Sequence, residues 1–208
     1  QEEIKKIAKL AVEHNFYVVS DEVYEFFVYG NNKQISIASL NDEIKKLTIT
    51  VNSVSKTYAM TGWRIGYCGA NKEIIKAMEN LQSHSTGNPS NIAQMAALEA
   101  LNGPQDSVKQ MIKAFDERRR FMHKRLNEIN GIECVEPEGA FYTFPGISGT
   151  GMNSTEFFSK LLDEALVAVV PGNAFGSDKH VRLSYAVSME DIEKGMDRIE
   201  KWVNKKIK

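Results

Sequence analysis

The sequence is poor in the features that mark membrane, secreted or nucleic-acid-binding proteins. Its two cysteines, Cys68 and Cys134, lack metal-ligand spacing and indicate reduced core thiols in a cytoplasmic protein. No apolar run approaches the ~20 residues of a membrane span, and no secretory signal is present. The four histidines show no metal-ligand spacing, so no metal is expected. The formal net charge is -1, which predicts neither nucleic acid nor a membrane surface as a partner.

Hydrophobic periodicity predicts a mixed α/β protein, long enough at 208 residues for one large domain or two small ones. Helices are predicted at residues 2–14, 72–82, 89–101, 106–130, 154–165 and 189–205. Strands are predicted at residues 17–20, 47–52, 65–70, 132–135, 140–144, 167–170 and 181–185. Asn71 and Asn88 are expected as N-caps, with Pro89 at the first helical position, and Ser188 with Asp191 is typical of a capping box.

Polar side chains suited to a ligand site follow the first two predicted strands. Asp21 falls at the carboxyl end of the first strand, where open α/β sheets bind ligands, and Lys56 follows the second. A partly desolvated lysine favours the neutral amine, which can attack a carbonyl. Ser53, Ser55 and Arg64 are residue types that bind a phosphate. Pyridoxal 5'-phosphate (PLP) requires this combination of an imine-forming lysine and a phosphate site.

The segment from Ser53 to Tyr67 resembles the Schiff-base lysine signature of the class I/II (aspartate-type) aminotransferases. It reads Ser-Val-Ser-Lys-Thr-Tyr-Ala-Met-Thr-Gly-Trp-Arg-Ile-Gly-Tyr. Four more segments match landmarks of this family in the same order, at residues 18–24, 139–142, 170–172 and 181–185. The similarity therefore extends over essentially the whole chain.

The resemblance implies fold type I of the PLP-dependent enzymes, an α/β fold with a large mixed α/β/α domain and a small α/β carboxyl-terminal domain. Residues 1–117 are expected to form the carboxyl-terminal part of the large PLP-binding domain, and residues 118–208 the small domain. The family's amino-terminal half, with its glycine-rich phosphate turn and ring-stacking aromatic residue, is not found in this sequence. The resemblance also implies a homodimer.

The implied reaction is transamination between an L-amino acid and a 2-oxo acid. Lys56 is the implied catalytic residue, which carries PLP as a Schiff base and then shuttles a proton. Asp21 is expected at the pyridine nitrogen, where a carboxylate favours the protonated form, and Tyr24 at the phenolic oxygen. The resemblance also implies that Ser53 and Arg64 bind the phosphate, with Ser55 in the same shell.

Arg182 is the implied ligand of the substrate α-carboxylate. On the predicted strand 181–185, alternation directs Val181, Leu183 and Tyr185 to one side and Arg182 with Ser184 to the other. A guanidinium facing a cleft can bind a carboxylate through two parallel hydrogen bonds. Residues 82–89 lack the arginine that an aspartate-specific branch carries in this stretch, which weakens a dicarboxylate interpretation and leaves the substrate side chain open.

Several alternatives stand beside a transaminase. Ser53-x-x-Lys56 also fits the motif of penicillin-recognising serine enzymes, but the Ser-Asp-Asn and Lys-Thr-Gly segments of that class are absent. A solvated loop lysine is the simplest interpretation of Lys56 taken alone. The occurrence of Asp21, Tyr24 and Arg64 in the order found in the family disfavours this interpretation. PLP lyases or synthases, and effector domains of transcriptional regulators, share the same pocket and stay open.

Overall fold

The computed structural model describes residues 2–207 and divides the chain into two units, one ending at Lys109 and the other beginning at Gln110. The helices are α1 (Glu2–His14), α2 (Asp42–Leu47), α3 (Val54–Thr57), α4 (Lys72–Ser83), α5 (Asn91–Asn102), α6 (Asp106–Asn127), α7 (Ser154–Ala165) and α8 (Met189–Lys206). The strands are β1 (Val18–Asp21), β2 (Thr48–Ser53), β3 (Gly66–Gly69), β4 (Tyr142–Thr143), β5 (Val170–Pro171) and β6 (Val181–Ser184). The division falls within α6, and the predicted domain boundary after residue 117 stays a prediction.

No helix within residues 2–207 combines the length and the apolar character needed to cross a membrane.

The first unit is built on a three-stranded sheet in the order β1-β2-β3. β1 runs parallel to β2, with Asp21 opposite Val51, and β3 runs antiparallel to β2, with Gly66 opposite Ser53. These strands lie within two residues of the predicted ones. Because β1 and β2 are parallel, their carboxyl ends, and so Asp21 and Ser53, lie at the same edge of the sheet.

Two apolar clusters support this sheet. α1 contributes Ala8 and Ala11, which pack with Ile37 and Ile44. The second cluster contains Val54, Ile65, Ala93 and Ala97 and joins α3 and α5 to the segment that leads into β3. β1 is not buried on both sides: the side of β1 that carries Val19 is uncovered, and this residue is 67% exposed.

The predicted start of α4 is confirmed, whereas that of α5 was wrong. Asn71 is the N-cap of α4, and its side chain accepts a hydrogen bond from the Ile74 amide at 3.0 Å. α5 begins at Asn91 with Ser90 at the N-cap, not at Asn88 and Pro89. The physical reason is that the Asn88 side-chain amide donates to the Pro89 carbonyl at 2.8 Å, a local contact that precedes the helix.

The second unit has a three-stranded antiparallel sheet in the order β4-β6-β5. β6 is central and shows the predicted alternation, because Val181, Leu183 and Tyr185 are buried while Arg182 is half-buried and Ser184 is exposed. α7 and α8 match the predicted helices and pack together through Phe157 and Trp202, whose rings meet edge-on at 5.2 Å.

Three strand predictions in this unit were wrong or too long. Residues 132–135 do not form a strand, because the Cys134 amide donates to the Asn127 side chain at 2.9 Å and Glu133 alone of these residues forms a β-bridge, with Gly146. The strand predicted at 140–144 shortens to β4, since Ala140 adopts a left-handed backbone with a φ of 57°. The strand predicted at 167–170 shifts to β5.

Cys68 and Cys134 are free cysteines. Cys134 is buried, as predicted, but Cys68 is half-buried, so the prediction that both are core thiols holds only for Cys134. Burial raises the pKa of the Cys134 thiol to about 11, and a backbone hydrogen bond from Phe144 opposes this rise.

Candidate active site

A cavity of about 290 Å³ lies at the sheet edge where β1 and β2 end. Four of the predicted cofactor-binding residues line it: Asp21, Ser53, Ser55 and Arg64. The cavity wall does not include Tyr24 or Lys56, although each directly follows a lining residue in the chain. The fold of the first unit therefore brings together side chains that are distant in the sequence. Asp21 and Arg64, for example, are 43 residues apart.

The two serines form a hydroxyl pair at the start of α3. Ser53 is the N-cap of this helix, and its Oγ accepts a hydrogen bond from the Ser55 amide at 2.9 Å. The two Oγ atoms are 2.6 Å apart, and Ser53 Oγ also donates to the Ile65 carbonyl at 3.0 Å. This network fixes the hydroxyls beside each other, an arrangement that suits an oxyanion ligand.

Arg64 reaches the cavity through an unusual backbone conformation. It has φ and ψ of 55° and 47°, in the left-handed region, and Ala59 shares this region with a φ of 53°. Non-glycine residues rarely adopt it, and such conformations concentrate at functional sites. The Arg64 guanidinium donates to the Thr61 carbonyl at 2.8 Å, and Arg64 is an exposed residue that gives the cavity lining a positive charge.

Asp21 ends β1 and opens a tight turn. One oxygen of its carboxylate accepts a hydrogen bond from the Val23 amide at 3.2 Å, so Asp21 does cap the turn. The other oxygen has no hydrogen bond to any residue within 2–207, and Asp21 is an exposed residue that lines the cavity. Tyr24 follows in the same turn, half-buried, with its ring edge-on to Phe27 at 6.3 Å.

A hydrogen-bonded strut joins this turn to the serine pair, and no sequence pattern predicted it. The buried Asn52 donates from Nδ2 to a Glu25 carboxylate oxygen at 2.5 Å and accepts at Oδ1 from the Ser53 amide at 2.8 Å. The pKa values of Tyr58 and Tyr67 are raised, mainly by burial and secondarily by the negative charge of Glu25. Glu25 and Asn52 are 27 residues apart, so only folding reveals that they are neighbours.

Lys56 lies on α3, the short helix that the serine pair begins. It is half-buried, between the buried residues Val54 and Thr57. Val54 belongs to the apolar cluster beneath the site, which holds α3 in place. Lys56 directly follows Ser55, which lines the cavity, and its role as the cofactor-binding lysine stays a prediction.

Arg182 lies in the second unit, on the central strand β6. Its guanidinium carbon is 4.4 Å from the centre of the Tyr142 ring and 4.5 Å from the centre of the Phe175 ring. The sequence predicted that Arg182 faces away from the core, but not these two aromatic neighbours. The sequence carried only a weak indication of these neighbours. Tyr142 alternates with Thr143 on β4, and nothing in the sequence connected Phe175 with β6.

Comparison with known proteins gives a consistent result. The family model described as aminotransferase class I and II matches residues 1–199. An aspartate aminotransferase of Bacillus subtilis (strain 168) is 46% identical over 210 residues, which cover 99% of this chain and 53% of that protein. An aspartate aminotransferase of Bacillus sp. (strain YM-2) is 49% identical over 208 residues, 98% of this chain and 53% of that protein.

Solved structures agree with these matches. The crystal structure of the aromatic aminotransferase from Pyrococcus horikoshii OT3 superposes with a TM-score of 0.95 and 44% identity, covering 99% of this chain and 56% of that one. The chain therefore spans about half the length of the relatives it matches.

Proposed function

This chain is a member of the class I and II aminotransferases, and we propose that it forms the carboxyl-terminal half of an enzyme that transfers an amino group between an L-amino acid and a 2-oxo acid. The predicted family is thereby confirmed, and so is the predicted fold, fold type I of the PLP-dependent enzymes. The cofactor of the family is PLP. Because the chain covers about half of its relatives, the activity of the whole protein is part of the proposal.

The residues around the 290 Å³ cavity fit PLP. A phosphate needs hydroxyl and guanidinium donors, which Ser53, Ser55 and Arg64 supply together. A pyridinium nitrogen needs an anionic acceptor, which Asp21 supplies with the carboxylate oxygen that the turn does not use. We assign Tyr24 to the phenolic oxygen because it shares the turn with Asp21. When bound, PLP supplies an electron sink for reactions at the substrate α-carbon.

Each side chain has a separate task in this proposal. The Asp21 carboxylate holds a proton on the ring nitrogen, because an adjacent negative charge favours the charged form. The Lys56 amine attaches the cofactor and afterwards moves a proton to and from the substrate α-carbon, as base and then as acid. The strut from Glu25 through Asn52 keeps the Asp21 turn and the Ser53 hydroxyl in register. Arg182 binds the substrate α-carboxylate.

The cavity that unites Asp21 with the serine pair and Arg64 is the observation that carries the proposal. Its test is borohydride reduction of the full-length protein loaded with PLP, followed by peptide mapping. The cofactor should become covalently attached to a peptide that contains Lys56, and transaminase activity should be lost with it. Attachment to a different lysine would overturn the assignment, and absence of activity toward every amino acid tested would overturn the proposed function.

The names of the relatives indicate which substrates to assay. The relatives are named for aspartate and for aromatic amino acids, so both aspartate and phenylalanine belong in the assay. Residues 82–89 lack arginine, which weakens a dicarboxylate substrate and leaves the side chain open. No feature within residues 2–207 favours a regulator's effector domain or a PLP lyase over a transaminase.

A homodimer and a cytoplasmic location are part of the same proposal. Support for a dimer comes from α4 and α5, where large apolar side chains are exposed, among them Leu81 at 73% and Ile92 at 75%. Support for the location comes from the two free cysteines. Sedimentation of the full-length protein tests the dimer, and a monomer at micromolar concentration would contradict it.

A further inference from the structure

The surroundings of Arg182 are more specific than an arginine on an exposed strand requires. Tyr142 and Phe175 come from opposite sides of β6, one from β4 and the other from the turn after β5. Their ring centres lie 4.4 Å and 4.5 Å from the same guanidinium carbon. Both distances are well within the ~6 Å reach of a cation–π interaction. Two rings on one guanidinium form what we call the aromatic clamp, meaning Tyr142 and Phe175.

The sheet register explains how Tyr142 reaches Arg182. Tyr142 pairs with Ser184, and Thr143 pairs with Leu183. Thr143 and Leu183 are buried, so Tyr142 and Arg182 both lie on the opposite face of the sheet. They are diagonal neighbours across the β4–β6 pair, a separation that long side chains bridge.

A stack of packed rings holds Phe175 in its position. Phe175 meets Phe144 edge-on at 6.0 Å, and Phe144 in turn stacks on His180 at 4.9 Å with the ring planes 9° apart. His180 Nδ1 and Ser177 Oγ are 2.7 Å apart. The turn also depends on Gly172, because a Cβ there would collide with the carbonyl oxygens of Ser177 and His180. Phe175 is therefore a supported ring, although its own side chain is 47% exposed.

The edge of the guanidinium is still available. The Arg182 side chain makes no hydrogen bond or ion pair with any residue within 2–207, and no buried side-chain nitrogen in that range lacks a partner. The N–H groups of Arg182 are therefore accessible to solvent. Both ring centres lie within 4.5 Å of the guanidinium carbon. The accessible N–H groups can still form two parallel hydrogen bonds, which match the two oxygens of a carboxylate.

We infer that Tyr142 and Phe175 are positioning residues that hold Arg182 ready for a planar carboxylate. This inference rests on the proposed function, in which Arg182 binds the substrate α-carboxylate. The clamp orders a long, flexible side chain before the substrate arrives. The loss of conformational entropy of Arg182 therefore does not reduce the free energy of substrate binding. It also selects against a lysine at this position, since an ammonium has neither the planar faces nor the fork.

The test measures carboxylate binding to the full-length, PLP-loaded protein. The probes are 3-phenylpropanoate and succinate, which carry carboxylates but no reactive amino or oxo group, and 3-phenylpropanamide, which lacks the carboxylate. The variants are Tyr142→Leu and Phe175→Leu, with Tyr142→Phe and Phe175→Trp as conservative partners. Phe121→Leu is the matched control, because the Phe121 ring lies 5.8 Å from the guanidinium carbon of a different arginine in the same unit, Arg125.

Each leucine variant should raise the Kd of the better-binding carboxylate about 5- to 30-fold, which corresponds to a cation–π contribution of about 1–2 kcal/mol. The KM of amino acid and oxo acid should rise by the same factor, with kcat, PLP absorbance and amide binding preserved. Tyr142→Phe, Phe175→Trp and Phe121→Leu should stay within about twofold of the parent protein, because they keep both rings on Arg182. Unchanged carboxylate binding in both leucine variants, or an equal loss of amide binding, would overturn the inference.

Arg182→Ala separates this inference from the proposed function. If Arg182→Ala abolishes carboxylate binding while the leucine variants bind normally, the clamp is refuted and the role of Arg182 stands. If Arg182→Ala binds carboxylates normally, the role of Arg182 is refuted and the inference falls with it. Transaminase activity of the parent protein reports on the proposed function independently of all these variants.

Discussion

At the scale of single residues, a substitution of Asp21 can test its proposed electronic role without removing its structural hydrogen bond. Its carboxylate uses one oxygen to cap the turn at Val23, and an asparagine can keep that bond through its amide oxygen. Asp21→Asn should therefore retain the fold and most of the PLP but lose the charge that favours the protonated ring nitrogen.

We expect turnover of the full-length Asp21→Asn protein to fall about 10²- to 10⁴-fold, the range typical of proton-transfer contributions. The measurements are kcat and the PLP content from absorbance. Turnover within a few-fold of the parent protein would show that Asp21 has no electronic role. Loss of PLP would instead make it a binding residue.

Cys134 gives a prediction with a defined pH window. The folded protein raises the pKa of its thiol from 9.0 to about 11, mainly through burial, so the folded state favours the neutral thiol. The resulting stabilisation is complete below about pH 9 and is lost as the pH rises toward 11. The difference in unfolding free energy between the parent protein and Cys134→Ala should therefore shrink between pH 8 and pH 11. A difference that grows over this interval would contradict the assignment.

At the scale of elements, α4 and α5 differ in how they begin, and this difference can be measured. The Asn71 side chain caps α4 at the Ile74 amide and also donates to the Lys46 carbonyl at 3.0 Å. Ser90 occupies the same position in α5 but makes no side-chain cap bond. Asn71→Ala should lower the free energy of unfolding by about 1 kcal/mol. Ser90→Ala is the control.

Urea unfolding of the two variants checks this prediction. Ser90→Ala should change the free energy of unfolding by no more than about 0.5 kcal/mol, as expected for a surface substitution that removes no bond. An equal loss in both variants would mean that the N-cap side chain is unimportant at either helix. It would also remove the explanation for why the first helix start was predictable and the second was not.

Elements with a local signal were predictable, and those that depend on distant partners were not. α7 and α8 carry their own caps and apolar periodicity, so their bounds follow from the sequence. Residues 132–135 have the composition of a strand, but the Asn127 side chain bonds the Cys134 backbone, and the segment pairs only through the bridge between Glu133 and Gly146. The pairing that makes a strand is a property of its neighbour.

At the scale of the whole molecule, the first unit exposes surface that a stable protein covers. β1 is an edge strand of its sheet, and Val19 and Tyr17 are exposed at 67% and 59%. Unpaired strand edges and apolar patches favour self-association. The active site needs positioning and preorganised charge, which half of a pocket does not provide.

We therefore expect the 208-residue chain, expressed alone, to show no transaminase activity above that of free PLP and to self-associate. Light scattering and a coupled transaminase assay measure the two effects, with the full-length protein as the control. Robust turnover by a sample that mass spectrometry shows to contain only this chain would contradict the prediction.

The sequence by itself determined the family, the fold class and the identity of the candidate site residues. It could do so because Lys56 with its serine neighbours, Asp21 at a strand end and Arg182 on an alternating strand are local patterns. Their chemistry depends on residue type, and residue type is what a sequence records.

Only the tertiary structure decided which side chains support them. The strut from Glu25 to Asn52 joins residues 27 positions apart. The aromatic clamp brings Tyr142 of β4 and Phe175 of the turn after β5 to the same guanidinium, that of Arg182. These contacts form where separate strands pair or come to a common sheet edge, so their distances in space are unrelated to their spacing along the chain. The candidate reacting groups could be predicted from the sequence, whereas the side chains that contact and support them required the fold.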